Sequence, residues 1–211
     1  MKHILYITSS LFGDQSASKQ LSDNFVHGLK KRYPGSVVTV LDLAREPLPH
    51  LDADEFTAWT IAEEDRTEAQ ARSASRSDRL VDQLLAHDTL VLAVPMYNLG
   101  IPSTLKAWID RVSRAGKTFR YTAHGAQGLV ENIKVYLFFA RGGRYRDTPL
   151  DTQTGYLKSV LGLMGITDVE TVYAEGLNMG DETRTGSLGD AELTIRHLLT
   201  EMPAEVKHAA A

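Results

Sequence analysis

The chain has 211 residues, 43% hydrophobic and 24% charged, with a formal net charge of −4 and no cysteine. That length fits one domain, 1–211, with its own core, and the lack of cysteine excludes disulfides and cysteine-based redox or zinc chemistry, so any redox role needs a borrowed cofactor. A negative balance without a basic block argues against a nucleic-acid partner. No apolar run nears the roughly 20 residues of a membrane helix, and Met1 to Thr8 lacks the length and flanks of a signal peptide, so no membrane partner and a cytoplasmic location are expected.

Lys2 to Thr8 reads as a short strand, followed by a hydroxyl-rich loop, Ser9 to Ser18, that feeds a helix. Leu21, Phe25 and Leu29 fall at four-residue steps with Val26 beside them, which puts one apolar stripe on a sheet; Pro34-Gly35 stops the helix. Val37 to Leu41 is a second strand. From Ala44 to about Arg66 the pattern becomes irregular, with scattered acids and the aromatics Phe56 and Trp59. Glu68 to Ala86 reads as a helix with Leu80, Val81, Leu84 and Leu85 crowded into its second half.

The central stretch follows. Leu90 to Val94 is a continuous apolar run with the length of a strand buried on both faces, and Pro95 ends it. Met96 to Leu99 is then a loop at a strand's carboxyl end, and Pro102 to Ala115 a helix with Leu105, Trp108, Ile109 and Val112 at helical spacing. Gly116 to Gly125 suggests a hairpin or compact loop, Ile133 to Phe139 a fourth strand and Ala140 to Gly143 the loop after it. The helix Asp151 to Met164 carries apolar groups on more than one side. Val169 to Tyr173 is a fifth strand, Leu188 to His197 and beyond a last helix, and the tail from Glu205 is expected to fray.

Strands alternating with helices predict an α/β fold: a five-stranded parallel sheet in the flavodoxin-like order, with helices on both faces. Ligands on such sheets bind at the switch point between the first and third strands, where the Ser10 to Ser18 and Met96 to Leu99 loops would meet. A helix amino terminus with the hydroxyls of Ser10, Ser16 and Ser18 suits a phosphate, although Ser16 or Ser18 could equally serve as a helix cap. Met96, Tyr97 and Asn98 offer a soft surface, an aromatic face and an amide to a flat ring, and Gly142-Gly143 lets backbone donors approach its polar edge. The plainer readings are packing for Tyr97, a simple turn for the glycines, and a solvated charge for Arg141 as an alternative to a ligand contact. His124 reads as a surface residue. Competing chemistries lack their residues: only Gly13 stands where a dinucleotide site needs G-x-G-x-x-G, so Asp42 reads as a strand-end cap, and neither a P-loop at the phosphate position nor G-x-S-x-G nor HExxH is present.

Ser9-Ser10 with Ser16-Ala17-Ser18, Pro95-Met-Tyr-Asn98, Arg114-Ala-Gly-x-Thr-Phe-Arg-Tyr121, Ala140-Arg-Gly-Gly143 and Gly165-Ile-Thr-Asp-Val169 together resemble the FMN-dependent NADH azoreductase family, within the flavodoxin-like NAD(P)H quinone oxidoreductases. The resemblance covers nearly the whole chain and is weakest in 44–66 and the tail. It implies tightly bound FMN, with Ser10 and Ser16, Ala17 and Ser18 at the phosphate and ribityl end. Met96, Tyr97, Asn98 and Leu99 would line the isoalloxazine, and Ala140, Arg141, Gly142 and Gly143 would meet its pyrimidine edge. It further implies NADH as donor, with NADPH left open, and a ping-pong reduction of quinones and azo compounds through flavin N5, with no catalytic side chain and no metal. The family is homodimeric with sites at the subunit interface, which fits the apolar surplus of the Asp151 to Met164 helix. Tyr121, by family position, and Trp59, by its place in the irregular segment, are expected as pocket walls. Two departures stand out: Leu99 where the family usually has Phe, and Ala140 where it has Ser. The rival reading is a non-enzymatic FMN protein that carries single electrons.

Overall fold

A computed structural model describes residues 1–203. Seven strands and six α-helices alternate along it: β1 (His3–Thr8), α1 (Ala17–Arg32), β2 (Val37–Asp42), α2 (Ala53–Ala58), α3 (Glu68–Leu85), β3 (Thr89–Pro95), α4 (Ser103–Val112), β4 (Phe119–Thr122), β5 (Gly125–Gly128), β6 (Lys134–Ala140), α5 (Thr152–Leu163), β7 (Val169–Ala174) and α6 (Asp181–Glu201). Five strands form one parallel sheet in the order β2-β1-β3-β6-β7, and β4 and β5 form a separate antiparallel pair. This is the flavodoxin-like order that the alternation predicts.

Strand alternation divides the interior in two. Ile4, Tyr6, Val91, Ala93, Tyr136 and Phe138 face one side and pack with Leu21, Phe25 and Leu29 of α1 and Ala191 and Ile195 of α6. Leu5, Ile7, Leu90, Leu92, Leu137 and Phe139 face the other and pack with Leu80 and Leu84 of α3, Trp108 of α4, and Leu157 and Leu161 of α5. Every residue of β3 is buried, as its unbroken apolar run requires of a strand covered on both faces.

Two expectations are corrected. The 44–66 segment is not irregular throughout: it contains α2, capped by Asp52, whose carboxylate accepts from the Glu55 amide at 2.7 Å. Glu55 is buried and takes both ends of the buried Arg111 guanidinium, at 2.9 and 2.6 Å, while Pro49 O accepts a third Arg111 hydrogen bond. The acid that reads as surface scatter is therefore the pin that holds the segment on α4. The last helix begins at Asp181, well before Leu188, because its first turns carry few apolar residues and leave no periodic signal. The fraying expected of the tail falls outside the described residues.

The β4–β5 hairpin leaves from the opposite end of the sheet from the Met96 to Leu99 loop. Its base is tied down at the carboxyl end of α5, where Val130 N donates to Met164 O. A Cβ on Gly128 would lie 2.1 Å from the Gly165 amide nitrogen, so only glycine permits this approach. Val130 and Gly165 line a cleft together with Lys2, Thr89 and Lys134, which stand at the amino ends of the strands. The seven residues of β3 thus separate the hairpin's base from its own chain's β3–α4 loop by about 20 Å.

Candidate functional site

At the carboxyl end of β1 the chain turns through Ser9 and Ser10, both buried, and enters α1 at Ser16. Ser16 occupies the N-cap position, yet its side chain makes no capping hydrogen bond; its hydroxyl lies 3.0 Å from that of Ser18, also buried. The simple cap reading therefore fails for Ser16. The first-turn N–H groups of Ala17, Ser18 and Lys19 have no intrahelical acceptor and, with the two hydroxyls, present donors at the positive end of the helix dipole. Thr8 Oγ1, at the end of β1, is buried without a partner. Lys19 lies in the same turn but is paired with Asp14 at 3.0 Å and Asp23 at 2.7 Å. Burial works against its charge, but hydrogen bonds and attraction from those carboxylates prevail and raise its pKa.

The second loop is a tight turn. Tyr97 and Gly100 exchange backbone hydrogen bonds of 3.1 and 2.9 Å, which leaves Asn98 and Leu99 at the tip with φ of 49° and 64°. Both are left-handed conformations that side chains rarely adopt, most costly at Leu99, and such strain persists only where surroundings hold it. The Tyr97 hydroxyl reaches across to Ser10 Oγ and Leu11 N, each at 3.1 Å, and so joins the first two loops. Tyr97 is a linker between loops, more than ordinary packing.

The third loop meets the second where Met96 N donates to Ala140 O at 3.1 Å. The carbonyls of Arg141, Gly142 and Gly143 accept from Leu177, Asn178 and Gly176, which pins one edge of the loop; the amides of Gly142 and Gly143 donate to no partner among the described residues. A Cβ on Gly142 would meet Asn178 Nδ2 at 2.7 Å, and one on Gly143 the Tyr145 ring at 2.8 Å, so a larger residue at either position would have to push a neighbouring side chain aside. Arg141 departs from the solvated-charge reading. Its guanidinium is fully buried, bound to Asp151 at 2.7 Å, Glu175 at 3.0 Å, Gln153 Oε1 at 3.1 Å and Thr154 Oγ1 at 3.0 Å, and lies over the Phe139 ring. The Arg141 amide is engaged as well, donating to Ala174 O at 2.9 Å, so the donors this loop leaves open are the amides of Gly142 and Gly143. Burial tends to raise the Asp151 pKa, but hydrogen bonds from Arg141 and Thr154 outweigh it and hold the carboxyl below its usual range.

Tyr121 and Trp59 stand apart from these loops. Tyr121 is 77% exposed on the hairpin, edge-on to Phe119. Trp59 lies beneath the Arg114 guanidinium, 4.6 Å from its ring centre, beyond the carboxyl end of α4. Asp42 caps the end of β2 by accepting from the amides of Ala44 and Arg45, as expected. Sequence reasoning missed Gln153. The available signal was its spacing, because Gln153, Leu157 and Leu161 fall at four-residue steps and are all buried.

Three loops at the carboxyl ends of β1, β3 and β6 thus form one connected surface, with helical donors at one end and glycine amides at the other. A family described by its flavodoxin-like fold matches residues 2–199. An FMN-dependent NADH:quinone oxidoreductase of Azotobacter vinelandii is 47% identical over 192 residues, covering 91% of this chain and 96% of that protein. The chain belongs to this family of flavodoxin-like oxidoreductases. A second family member of the same description, from Pseudoalteromonas atlantica, is 47% identical over 206 residues, 98% of this chain and all of that protein. Among solved structures, an azoreductase of Bacillus anthracis str. Sterne superposes with a TM-score of 0.88 at 30% identity, covering 96% of this chain and all of that one. The donor surface fits the FMN that the relatives' names specify: hydroxyls and helical amides for its phosphate, glycine amides for its ring edge. No helix among the described residues is long and apolar enough to cross a membrane.

If the serine hydroxyls donate to a phosphate, Ser16→Ala with Ser18→Ala should weaken FMN binding by about 1 kcal/mol per hydroxyl. Titration of the apoprotein by flavin fluorescence measures this, and an unchanged affinity would reduce the serines to packing residues.

Proposed function

We propose that this protein is an FMN-dependent NADH:quinone oxidoreductase that also cleaves aromatic azo compounds, in a two-electron ping-pong cycle. The observation that carries the reading is the hydrogen-bonded union of the three loops at the switch point, donors at both ends, together with the relatives' names. Ser10, Ser16, Ala17 and Ser18 would hold the phosphate and ribityl end, Met96 to Leu99 would underlie the ring, and Ala140 to Gly143 would face its pyrimidine edge. Bound there, FMN supplies the redox chemistry, accepting a hydride equivalent from NADH and passing both electrons to the acceptor. The amides of Gly142 and Gly143 favour negative charge at the ring edge without a side-chain acid or base. A reaction that consumes NADH suits the cytoplasm.

The reading includes a homodimer. Tyr121 sits on a hairpin rooted at the amino edge of the sheet, so within one chain it cannot wall the carboxyl-edge site; from a second copy it can. Tyr156, Val160 and Leu163 of α5 remain partly exposed beside buried Leu157 and Leu161, an apolar stripe suited to self-association. Val160→Asp should shift sedimentation at micromolar concentration from dimer to monomer and lower quinone reduction. A wild-type protein that sediments as a stable, flavin-loaded and fully active monomer would contradict the dimer.

Anaerobic stopped-flow mixing of the FMN-loaded protein with NADH tests the activity. Loss of flavin absorbance in one phase without a semiquinone, followed by reoxidation when benzoquinone is added, is expected. An accumulating semiquinone, or no bleaching, would favour a one-electron carrier.

A further inference from the structure

Gln153 is wholly buried in the first turn of α5, and both ends of its amide are hydrogen-bonded to the two ring loops. Its amide nitrogen donates to Pro95 O and to Gly100 O, each at 3.0 Å, while its Oε1 accepts from Arg141 Nε at 3.1 Å. Pro95 and Gly100 flank the Met96 to Leu99 turn, so one NH₂ group closes the neck of that turn. Arg141 opens the Gly142-Gly143 loop. The amide's orientation is unambiguous, because two carbonyls can only accept and a guanidinium can only donate.

We propose that Gln153 is a positioning residue that fixes the separation between the turn under the flavin ring and the glycine loop at its edge; this rests on the FMN reading above. Two features support a positioning role over simple core filling. The strained backbone at Asn98 and Leu99 needs an external restraint, and Gln153 supplies it at both ends of the turn, joined by the Thr152 hydroxyl, which donates to Leu99 O. A side chain of similar volume cannot substitute: leucine offers no hydrogen bonds, and glutamate keeps the acceptor for Arg141 but turns an anion toward two carbonyls. Of the natural side chains that fit, only an amide of this length donates twice and accepts once along these three lines.

The hydrogen bonds of Gln153 go to the ring loops alone, which provides the test. Gln153 touches the ring loops and not the amino end of α1, so its loss should weaken binding of the ring whether or not a phosphate is attached. Apoprotein of wild type, Gln153→Leu and Gln153→Glu is titrated with FMN and with riboflavin, below the unfolding temperature of each as measured by circular dichroism. Both variants, which lose at least the two hydrogen bonds to Pro95 O and Gly100 O, are expected to bind FMN and riboflavin about tenfold more weakly, with the FMN-to-riboflavin ratio unchanged and the visible spectrum of the bound flavin altered. Gln153→Glu keeps the shape and the Arg141 contact, so it remains informative should the leucine variant fail to fold. Wild-type affinity for both flavins in either folded variant would overturn the proposal, as would a loss confined to FMN. A wild-type protein that takes up neither flavin would instead refute the functional reading itself.

Discussion

The buried guanidinium of Arg141 is the charge around which the ring end of the site is built. An ion taken wholly out of water is tolerated only when it is paired and its hydrogen bonds are met, and removing one partner of such a group typically costs about 3–5 kcal/mol. Here the compensation comes from three directions: Asp151 at the start of α5, Glu175 after β7 and Gln153 inside the helix. Each partner also does a second task. Asp151 caps α5 through the Thr154 amide, Glu175 accepts from the amides of Tyr145 and Arg146, and Gln153 closes the neck of the β3–α4 turn. Satisfying one cation therefore sets the position of a helix and of the loops on either side of it.

The sheet makes this arrangement reachable. Parallel registers place Thr8 opposite Ala93 and Pro95 opposite Ala140, so the strands that carry the three loops end close to one another on one edge of the sheet. The two-sided core then fixes those registers, because a slip of one residue would turn Leu90 and Leu92 from the α3–α4–α5 side to the α1–α6 side. At the opposite end of the site, α1 contributes its dipole and first-turn amides, while the Lys19 charge is spent on Asp14 and Asp23. Anion recognition there rests on the backbone and two hydroxyls.

Much of this was legible in the sequence where physics acts locally. The β3 run, the α1 stripe and Pro95 specify their elements from neighbouring residues, and the alternation of elements limits the topology to an order with its crevice at the Ser10 and Met96 loops. What was not legible depends on pairings distant in the chain. Glu55 reads as one of several surface acids until Arg111 is brought to it from 56 positions away, and Arg141 reads as a loop charge until Glu175 and Asp151 enclose it. Gln153 reads as polar on an apolar helix, and nothing local says that its partners are two carbonyls near residue 100. Family position points to Tyr121 and loop context to Trp59 as pocket walls, but neither carries the information that both residues lie away from their own chain's ring loops.

The central claim is that one donor-lined surface, from the amino end of α1 to the Gly142-Gly143 loop, holds a single flavin. A crystal structure of the protein grown with FMN tests it most directly. The account predicts the phosphate within hydrogen-bond distance of the Ala17 and Ser18 amides, and the pyrimidine edge of the ring against the amides of Gly142 and Gly143. Density for the flavin elsewhere, or with its phosphate away from α1, would contradict it.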